Sequence, residues 1–197
     1  MKGRSNYPHS IIALMVAILL VTGCTHTFKT CDINTLQTGS PLRGVPSRTF
    51  AFKEFRDTRN VNDPAWVAEV GVHILVLDQP ITTSVANLIR KELERNGHKC
   101  VTFSSDVKAD FIVEGSIYNF AYRVQQRLFF TNQTANTGVR IMISCIPTEK
   151  GFFTKPYRGT YTTDGGLEAW KNSLNQALVA MIKEMSTDTE LIEFIKK

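Results

Sequence analysis

The sequence predicts an α+β fold in which α-helices pack on one face of a mixed β-sheet. Two observations lead to this prediction. Apolar and polar residues alternate in several short segments, which is the pattern of half-buried strands. Helical stripes of apolar residues occur once between these segments and again at the end of the chain. Because strands and helices are grouped rather than strictly alternating, the order favours helices collected on one side of a sheet.

The predicted domain opens with two strands. Phe50 and Phe52 alternate with polar residues within residues 48–55, as in a strand that buries one face. A long polar connection follows, and residues 72–77 then form a second short apolar stretch. We expect this stretch to be the second strand.

A helix is expected after the second strand. Pro80 leads into Thr83 and Ser84, and either of these two hydroxyl side chains is a suitable N-cap. The apolar stripe of the helix consists of Val85, Leu88, Ile89 and Leu93. Gly97 follows the stripe and is the expected C-terminal stop, because glycine readily adopts the left-handed conformation that ends helices.

Four further strands are expected after this helix. They cover residues 99–104, 109–123, 139–146 and 152–162. Residues 133–138 are expected to form the turn between two of these strands. Pro156 cannot donate a backbone hydrogen bond, so it favours an edge or a bulge for the last strand.

The C-terminal part of the sequence predicts two helices. The apolar stripe of the first consists of Leu167, Trp170, Leu174, Leu178, Met181 and Met185. Residues 186–188 interrupt this spacing. The last helix carries Leu191, Phe194 and Ile195, and Thr187 or Asp188 is its expected cap.

The N-terminus has the features of an export signal. Lys2 and Arg4 precede an unbroken apolar run, residues 11–21. This run is shorter than the ~20 residues of a membrane-spanning helix, but it suits a signal peptide. It ends in Val21-Thr22-Gly23-Cys24, which resembles the bacterial lipobox, where the cysteine thiol receives a lipid and the chain is cut before the cysteine. We therefore expect residues 1–23 to be a lipoprotein signal peptide and Cys24 to be the lipid attachment site.

The residues after Cys24 predict where the protein resides. Bacterial lipoproteins kept in the inner membrane often carry aspartate after the lipidated cysteine, so Thr25 favours the outer membrane, with the domain facing the periplasm. Residues 24–47 are rich in Thr, Gly, Ser and Pro, a composition typical of a flexible tether. Residues 48–197 are long enough to form a single periplasmic α+β domain.

Charge and histidine spacing argue against several classes of function. The net charge is +5, but the basic residues are scattered rather than clustered with aromatic residues, so no nucleic-acid partner is expected. His26, His73 and His98 have no second metal ligand or catalytic base at a recognisable spacing. The sequence therefore predicts a protein that is not an enzyme, without catalytic residues, a cofactor or a metal site.

Three cysteines are left once Cys24 is lipidated. Cys100 and Cys145 lie in predicted strands, where the oxidising periplasm permits a disulfide between them. Buried free cysteine is also common in strands, so both alternatives stay open. Cys31 lies in the predicted tether, and no Cys-x-x-Cys motif indicates a zinc or redox site.

The most polar motif of the domain, residues 56–59, has two interpretations. Arg56, Asp57 and Arg59 form a contact site for a partner in one of them. In the other, which we favour, Asp57 caps a turn and pairs with an arginine, the commoner use of such charges. Phe129 and Phe130 are a further candidate contact, because a double phenylalanine near a strand end is often exposed.

The end of the chain carries the most specific motif. Residues 185–196 read MSTDTELIEFIK and resemble the C-terminal end of the YajG-like family of uncharacterised bacterial lipoproteins. Asp57-Thr58-Arg59 resembles the Asp-x-Arg segment after the first strand of that family. The core is also distantly similar to the small α/β domains of TolB and of lipoprotein activators of peptidoglycan synthases. The resemblance covers residues 48–197 and implies a periplasm-facing lipoprotein, with no catalytic residues to carry over.

These observations lead to one expected function and one alternative. We expect a lipid-anchored interaction module of the cell envelope, held at the membrane by the lipid on Cys24 and binding another envelope protein. The alternative is an accessory ligand-binding lipoprotein of an envelope lipid or solute transport system. A deep apolar cavity under the helix of residues 167–185 would favour the alternative, and a filled core would favour the interaction module. A cell-wall hydrolase is disfavoured because no nucleophile and base are recognisable.

Overall fold

The computed structural model describes residues 24–28, 40–126, 133–147, 152–165 and 169–197. Two sheets and three α-helices form in this part of the chain. The strands are β1 Cys24–Phe28, β2 Thr49–Phe52, β3 Arg56–Asp57, β4 Trp66–Val70, β5 His73–Leu77, β6 Lys99–Thr102, β7 Phe111–Gln126, β8 Gln133–Pro147 and β9 Phe153–Asp164. The helices are α1 Ile81–Arg95, α2 Trp170–Ser186 and α3 Thr189–Lys196. The predicted signal peptide, residues 1–23, lies outside the described residues.

The larger sheet is mixed, as the sequence predicts. Its strand order is β6-β2-β7-β8-β9, and the short strand β3 also pairs with β7. Strand β2 runs parallel to both β6 and β7, whereas β7, β8 and β9 form an antiparallel meander. Strand β9 is at the edge, which agrees with the position expected for Pro156.

The smaller sheet has three strands in the order β1-β5-β4. Strands β4 and β5 form an antiparallel hairpin, and β1 pairs in parallel with the free side of β5. The turn of the hairpin consists of Gly71 and Val72, and Gly71 has a φ of 61°, a conformation that favours glycine.

The helices pack together on the larger sheet. Helix α1 contacts β6 and β7, helix α2 contacts β8 and β9, and the two helices contact each other. Leu174 and Leu178 of α2 are buried against the sheet, as the stripe predicts. The approach of α2 to β9 is close, because a Cβ atom on Gly159 would overlap with the carbonyl oxygen of Ala177. The predicted α+β class is confirmed. Within the described residues, none of the helices is both long and apolar enough to cross a membrane.

The structure corrects two predicted boundaries. Residues 133–138 belong to β8 and not to a turn, because their backbone pairs with β7 on one side and, from Thr134, with β9 on the other. Helix α1 begins at Ile81, before the predicted caps Thr83 and Ser84. Ile81 is buried, and the Ser84 hydroxyl donates a hydrogen bond to the Pro80 carbonyl from inside the first turn.

The prediction of a flexible tether over residues 24–47 is wrong for the part that the structure describes. Residues 24–28 form β1, and residues 41–44 form a 3-10 turn that buries Leu42 completely. Val45 is also buried. These apolar residues are too widely spaced to form a local pattern, so only their tertiary contacts identify them as core. Residues 29–39, with Cys31, lie outside the described residues.

The assigned face of α2 can be tested by truncating one buried residue. Leu174→Ala should lower the free energy of unfolding by about 2–5 kcal/mol, because it leaves a cavity in the filled helix–sheet interface. Urea unfolding of the chain carrying Cys24→Ser measures this change. Lys171→Ala, at an exposed position of the same helix, should stay within about 0.5 kcal/mol of the parent chain. Equal losses for the two variants would contradict the assigned face.

Candidate functional site

Cys24 is the first residue of β1, and its side chain is exposed. In the parallel pairing of β1 with β5, Cys24 stands opposite His73, and His73 in turn stands opposite Val70 of β4. Cys24 therefore lies at the same end of the small sheet as the Gly71–Val72 turn. We call this end, formed by Cys24, Thr25, Val72 and Ile74, the anchor end.

Two histidines connect β1 to β5 beside the anchor end. Nε2 of His26 lies 2.9 Å from Nδ1 of His73, and the ring centroids are 5.0 Å apart. One ring donates and the other accepts, and the tautomers decide which. No group of three or more His, Cys, Asp and Glu side chains that could hold a metal occurs in the described part of the chain. The pair thus acts as a hydrogen bond between strands.

The other end of β1 is fixed to the core. Phe28 is buried and packs edge-on against Trp170, with ring centroids 5.8 Å apart. Its carbonyl accepts a hydrogen bond of 3.0 Å from the backbone N–H of Asp78. Because Trp170 begins helix α2, these contacts join β1 to the main body of the domain. Sequence reasoning missed this connection, since Phe28 has no apolar neighbour at strand spacing.

Asp57 and Arg59 form a buried ion pair. Nε of Arg59 donates to Oδ1 of Asp57 at 2.9 Å, and Nη2 donates to Oδ2 at 2.7 Å. The Arg59 side chain is only 6% exposed. Burial alone would raise the pKa of Asp57, but the hydrogen bonds and the charge of Arg59 outweigh burial and lower it. The pair therefore stabilises the fold above the ordinary aspartate pKa, and this contribution is lost as the pH falls.

Arg59 also binds backbone groups outside the pair. Nη1 donates to the carbonyl of Trp66 at 2.7 Å, and Nη2 donates to the carbonyl of Pro64 at 3.2 Å. The guanidinium lies 5.9 Å from the centre of the Phe120 ring. These contacts bind the guanidinium to groups of the domain itself, and the role of Asp57 and Arg59 as partner contacts stays a prediction. The alternative interpretation, an Asp57–arginine pair, is what the structure has.

The other predicted contact residues are Arg56, Phe129 and Phe130. The side chain of Arg56 is exposed, although its backbone belongs to β3 and pairs with Ser116 of β7 rather than lying in a loop. Phe129 and Phe130, which belong to the connection between β7 and β8, lie outside the described residues. Arg56, Phe129 and Phe130 therefore stay predictions.

The predicted disulfide between Cys100 and Cys145 is incompatible with the sheet. Cys100 is on β6 and Cys145 is on β8, with β2 and β7 between them. Three strand spacings separate them by about 14 Å, whereas the Cα atoms of a disulfide lie within about 7 Å. Cys100 is a half-buried free cysteine. Burial, together with the negative charge of Glu94, raises its pKa to about 12.

The polar cluster around Asp188 is a helix cap. Oδ1 of Asp188 accepts from the backbone N–H of Glu190 and from Nζ of Lys155, each at 3.0 Å. Oδ2 accepts from the hydroxyl of Tyr157 at 2.7 Å. Although burial would raise the pKa of Asp188, these hydrogen bonds lower it. Of the two predicted caps of the last helix, Thr187 and Asp188, the structure uses Asp188. Lys155 and Tyr157 gave no sequence signal.

Two concavities lie along helix α1. One has a volume of about 380 Å³ and is lined largely by polar side chains, among them Asp78, Asn87 and Lys91. The other, of about 200 Å³, lies where the guanidinium of Arg90 covers the Phe52 ring at 4.7 Å. On the described side of the interface under α2, Leu174, Ala177 and Met181 are fully buried.

Comparisons with known proteins agree with this architecture. A family model described as "Uncharacterized lipoprotein" matches residues 55–196. The fold is similar to that of protein XCC0632 from Xanthomonas campestris, with 12% identity, a TM-score of 0.56 and coverage of 82% of this chain and 93% of that chain. It is also similar to a neuraminyllactose-binding hemagglutinin homolog from Helicobacter pylori, with 11% identity, a TM-score of 0.50 and coverage of 83% and 96%. No curated protein matches the sequence at a significant level.

The structural role of Arg59 predicts a large effect of its removal. Arg59→Ala leaves the buried Asp57 carboxylate and the Trp66 carbonyl without these donors, so the free energy of unfolding should fall by about 3–5 kcal/mol. Arg56→Ala removes an exposed arginine from the same segment and should change the free energy of unfolding by no more than about 0.5 kcal/mol. Urea unfolding of the two variants compares them directly. A small loss for Arg59→Ala would show that the pair is not structural.

Proposed function

The chain belongs to the YajG-like family of uncharacterised bacterial lipoproteins, and from this premise we propose that it is a lipid-anchored interaction module of the outer membrane. In this proposal the lipid on Cys24 holds the domain at the periplasmic surface of the membrane. The domain binds another envelope protein and does not catalyse a reaction.

The main observation in favour of an anchor at Cys24 is the exposed position of this residue. Its side chain lies at the surface at the start of a strand, where acyl chains can leave the protein without disturbing the core. It is also the cysteine of the sequence that resembles a lipobox. One acyl chain gives only marginal membrane binding, whereas several chains on one residue give stable attachment. Thr25, also exposed, supports the outer rather than the inner membrane.

The burial of the apolar stripe of α2 supports protein binding over transport of an apolar ligand. A carrier of lipids needs an apolar cavity large enough to enclose most of its ligand, and the position expected for such a cavity holds Leu174, Leu178 and Met181 instead.

The surface near Arg56 has exposed side chains that can contact a partner. The backbone of Arg56 pairs with Ser116, and Tyr118, two residues further along β7, is half exposed.

Weak contacts are sufficient for an anchored domain to bind a partner in the same membrane. A domain attached to the membrane surface meets other membrane-bound proteins at a high effective concentration. An arginine and a tyrosine are residue types enriched in protein interfaces. We therefore propose Arg56, together with Phe129 and Phe130, as the contact with the partner.

The anchor can be tested by cell fractionation of two variants. Cys24→Ser should remove the protein from the membrane fraction and abolish labelling by a clickable fatty acid, because no thiol is left for the lipid. Thr25→Asp should keep the label but move the protein from the outer to the inner membrane fraction.

The matched controls for this experiment are Cys100→Ser and Thr27→Asp. Cys100 is a half-buried cysteine, and Thr27 is the next exposed residue on the same strand. Neither change should alter labelling or location. Retention of the fatty-acid label in Cys24→Ser would contradict the anchor, and an unchanged location of Thr25→Asp would contradict the outer-membrane assignment.

The partner contact can be tested by photocrosslinking in living cells. Arg56→p-benzoylphenylalanine should give a discrete crosslinked product, and the product should disappear when Cys24→Ser removes the anchor. The same probe at Lys171, an exposed position on α2, serves as the control and should give only background. A third variant carries the probe at Phe130, and background alone at both Arg56 and Phe130 would contradict the proposed contact.

A further inference from the structure

The anchor end of the small sheet combines the proposed lipid attachment site with exposed apolar side chains. Val72 is 62% exposed at the tip of the β4–β5 hairpin, and Ile74, the next outward-facing residue of β5, is 37% exposed. A tight turn between strands is usually polar, because its side chains meet water. Two exposed branched aliphatic residues at this position therefore need an explanation.

The pairing of β1 with β5 places these residues beside Cys24. Cys24 stands opposite His73, whose chain neighbour is Val72. Adjacent strands are about 4.8 Å apart and consecutive Cα atoms 3.8 Å apart, so the backbones of Cys24 and Val72 lie within about 9 Å. Acyl chains attached to Cys24 would begin next to the hairpin tip.

Because residues 24–28 form a strand, no flexible segment separates Cys24 from the small sheet. Cys24 itself belongs to β1, and the other end of the strand is held by Phe28 against Trp170. Between these ends, the His26–His73 hydrogen bond joins β1 to β5. A lipid on Cys24 therefore draws the hairpin to the membrane surface together with the anchor.

We propose that the hairpin tip at Val72 is a membrane-docking element, inserted into the phospholipid leaflet that receives the acyl chains of Cys24. This inference rests on the proposed lipid attachment at Cys24. The occupant is a lipid surface and not a second protein, because the lipid is the one partner whose position beside Val72 follows from the attachment site.

The chemistry of the tip fits a shallow insertion. At this end of the small sheet, the residue after Cys24 and the two turn residues are exposed and uncharged; they are Thr25, Gly71 and Val72. The first acidic group along this face is Glu69, which is exposed and stands opposite Ile74. Its carboxylate is compatible with the hydrated headgroup layer but not with the acyl layer. Insertion thus reaches Val72 and ends near Ile74.

Insertion fixes the direction in which the domain extends. Strand β1 runs away from the membrane at about 3.3 Å per residue, so Phe28 and the start of helix α2 lie about 13 Å above the anchor. The domain stands on the leaflet in one orientation, and the end of β1 marked by Trp170 points into the periplasm.

A fluorescent probe at the tip tests the proposal in the full lipidated chain. The total affinity for membranes is not informative, because the acyl chains dominate it. Val72→Cys is made in a background of Cys31→Ser, Cys100→Ser and Cys145→Ser, and the thiol is labelled with the environment-sensitive dye NBD. The protein is reconstituted into vesicles of phosphatidylethanolamine and phosphatidylglycerol, with or without a nitroxide-labelled lipid. Mass spectrometry records the acylation of Cys24 in the same sample.

We expect blue-shifted emission at position 72 and a loss of more than half of the fluorescence with the nitroxide lipid. The control is Lys171→Cys in the same background, an exposed site next to Trp170 at the far end of β1, which should keep the emission of a probe in water.

Three results distinguish a failure of the membrane docking from a failure of the lipid anchor. Acylated protein whose probe at position 72 keeps the emission of a probe in water and is not quenched overturns the docking and leaves the anchor standing. Quenching of equal strength at both positions overturns the fixed orientation that docking requires. Protein without acyl chains on Cys24 overturns the proposed anchor and the docking together.

Discussion

The Arg59 guanidinium joins segments that belong to the two sheets and to the start of helix α1. It pairs with Asp57 of β3, which belongs to the large sheet, and it binds the carbonyl of Trp66, which begins β4 of the small sheet. It also shares the Pro64 carbonyl with the backbone N–H of Ile81, the first residue of α1. An isolated carboxylate at this depth would be costly, so the pair and its backbone partners form as a unit. The orientation of the small sheet depends on this unit.

The position of the anchor end follows from that orientation. Because the small sheet is fixed to the body through Arg59 and through Phe28 against Trp170, Cys24 has a defined place on the surface of the domain. A flexible tether would leave the domain free to rotate above the membrane. If lipid is attached at Cys24 as proposed, a strand that begins at this residue gives the domain a fixed orientation instead. The proposed membrane docking at Val72 and the proposed partner contact at Arg56 both depend on this rigidity.

The C-terminal motif that resembles the YajG-like family has a structural explanation. Asp188 caps α3 and accepts hydrogen bonds from Tyr157 and Lys155, both on the edge strand β9. Asp188 therefore holds the last helix against the sheet and also accepts a hydrogen bond from a backbone N–H of the first turn of that helix. In the same way, the Asp-x-Arg segment is the ion pair that joins the two sheets. Both segments that carry the family resemblance thus contain a largely buried carboxylate that is paired with a basic side chain.

The local pattern of the sequence by itself determined the α+β class, the stripe of α2 and the stop at Gly97. It also narrowed the cap of the last helix to Thr187 or Asp188 and the place of Pro156 to an edge or a bulge. Each of these depends on spacing or conformation within a few residues. The tertiary structure alone decided that residues 24–28 form a strand, that Cys100 and Cys145 lie three strands apart, and that Arg59 is buried. It also placed Val72 beside Cys24. The physical reason is the same in each case: parallel pairing joins Cys24 to His73, and sheet order separates β6 from β8. Contacts between residues so distant in the chain leave no periodic signal in the sequence around either partner.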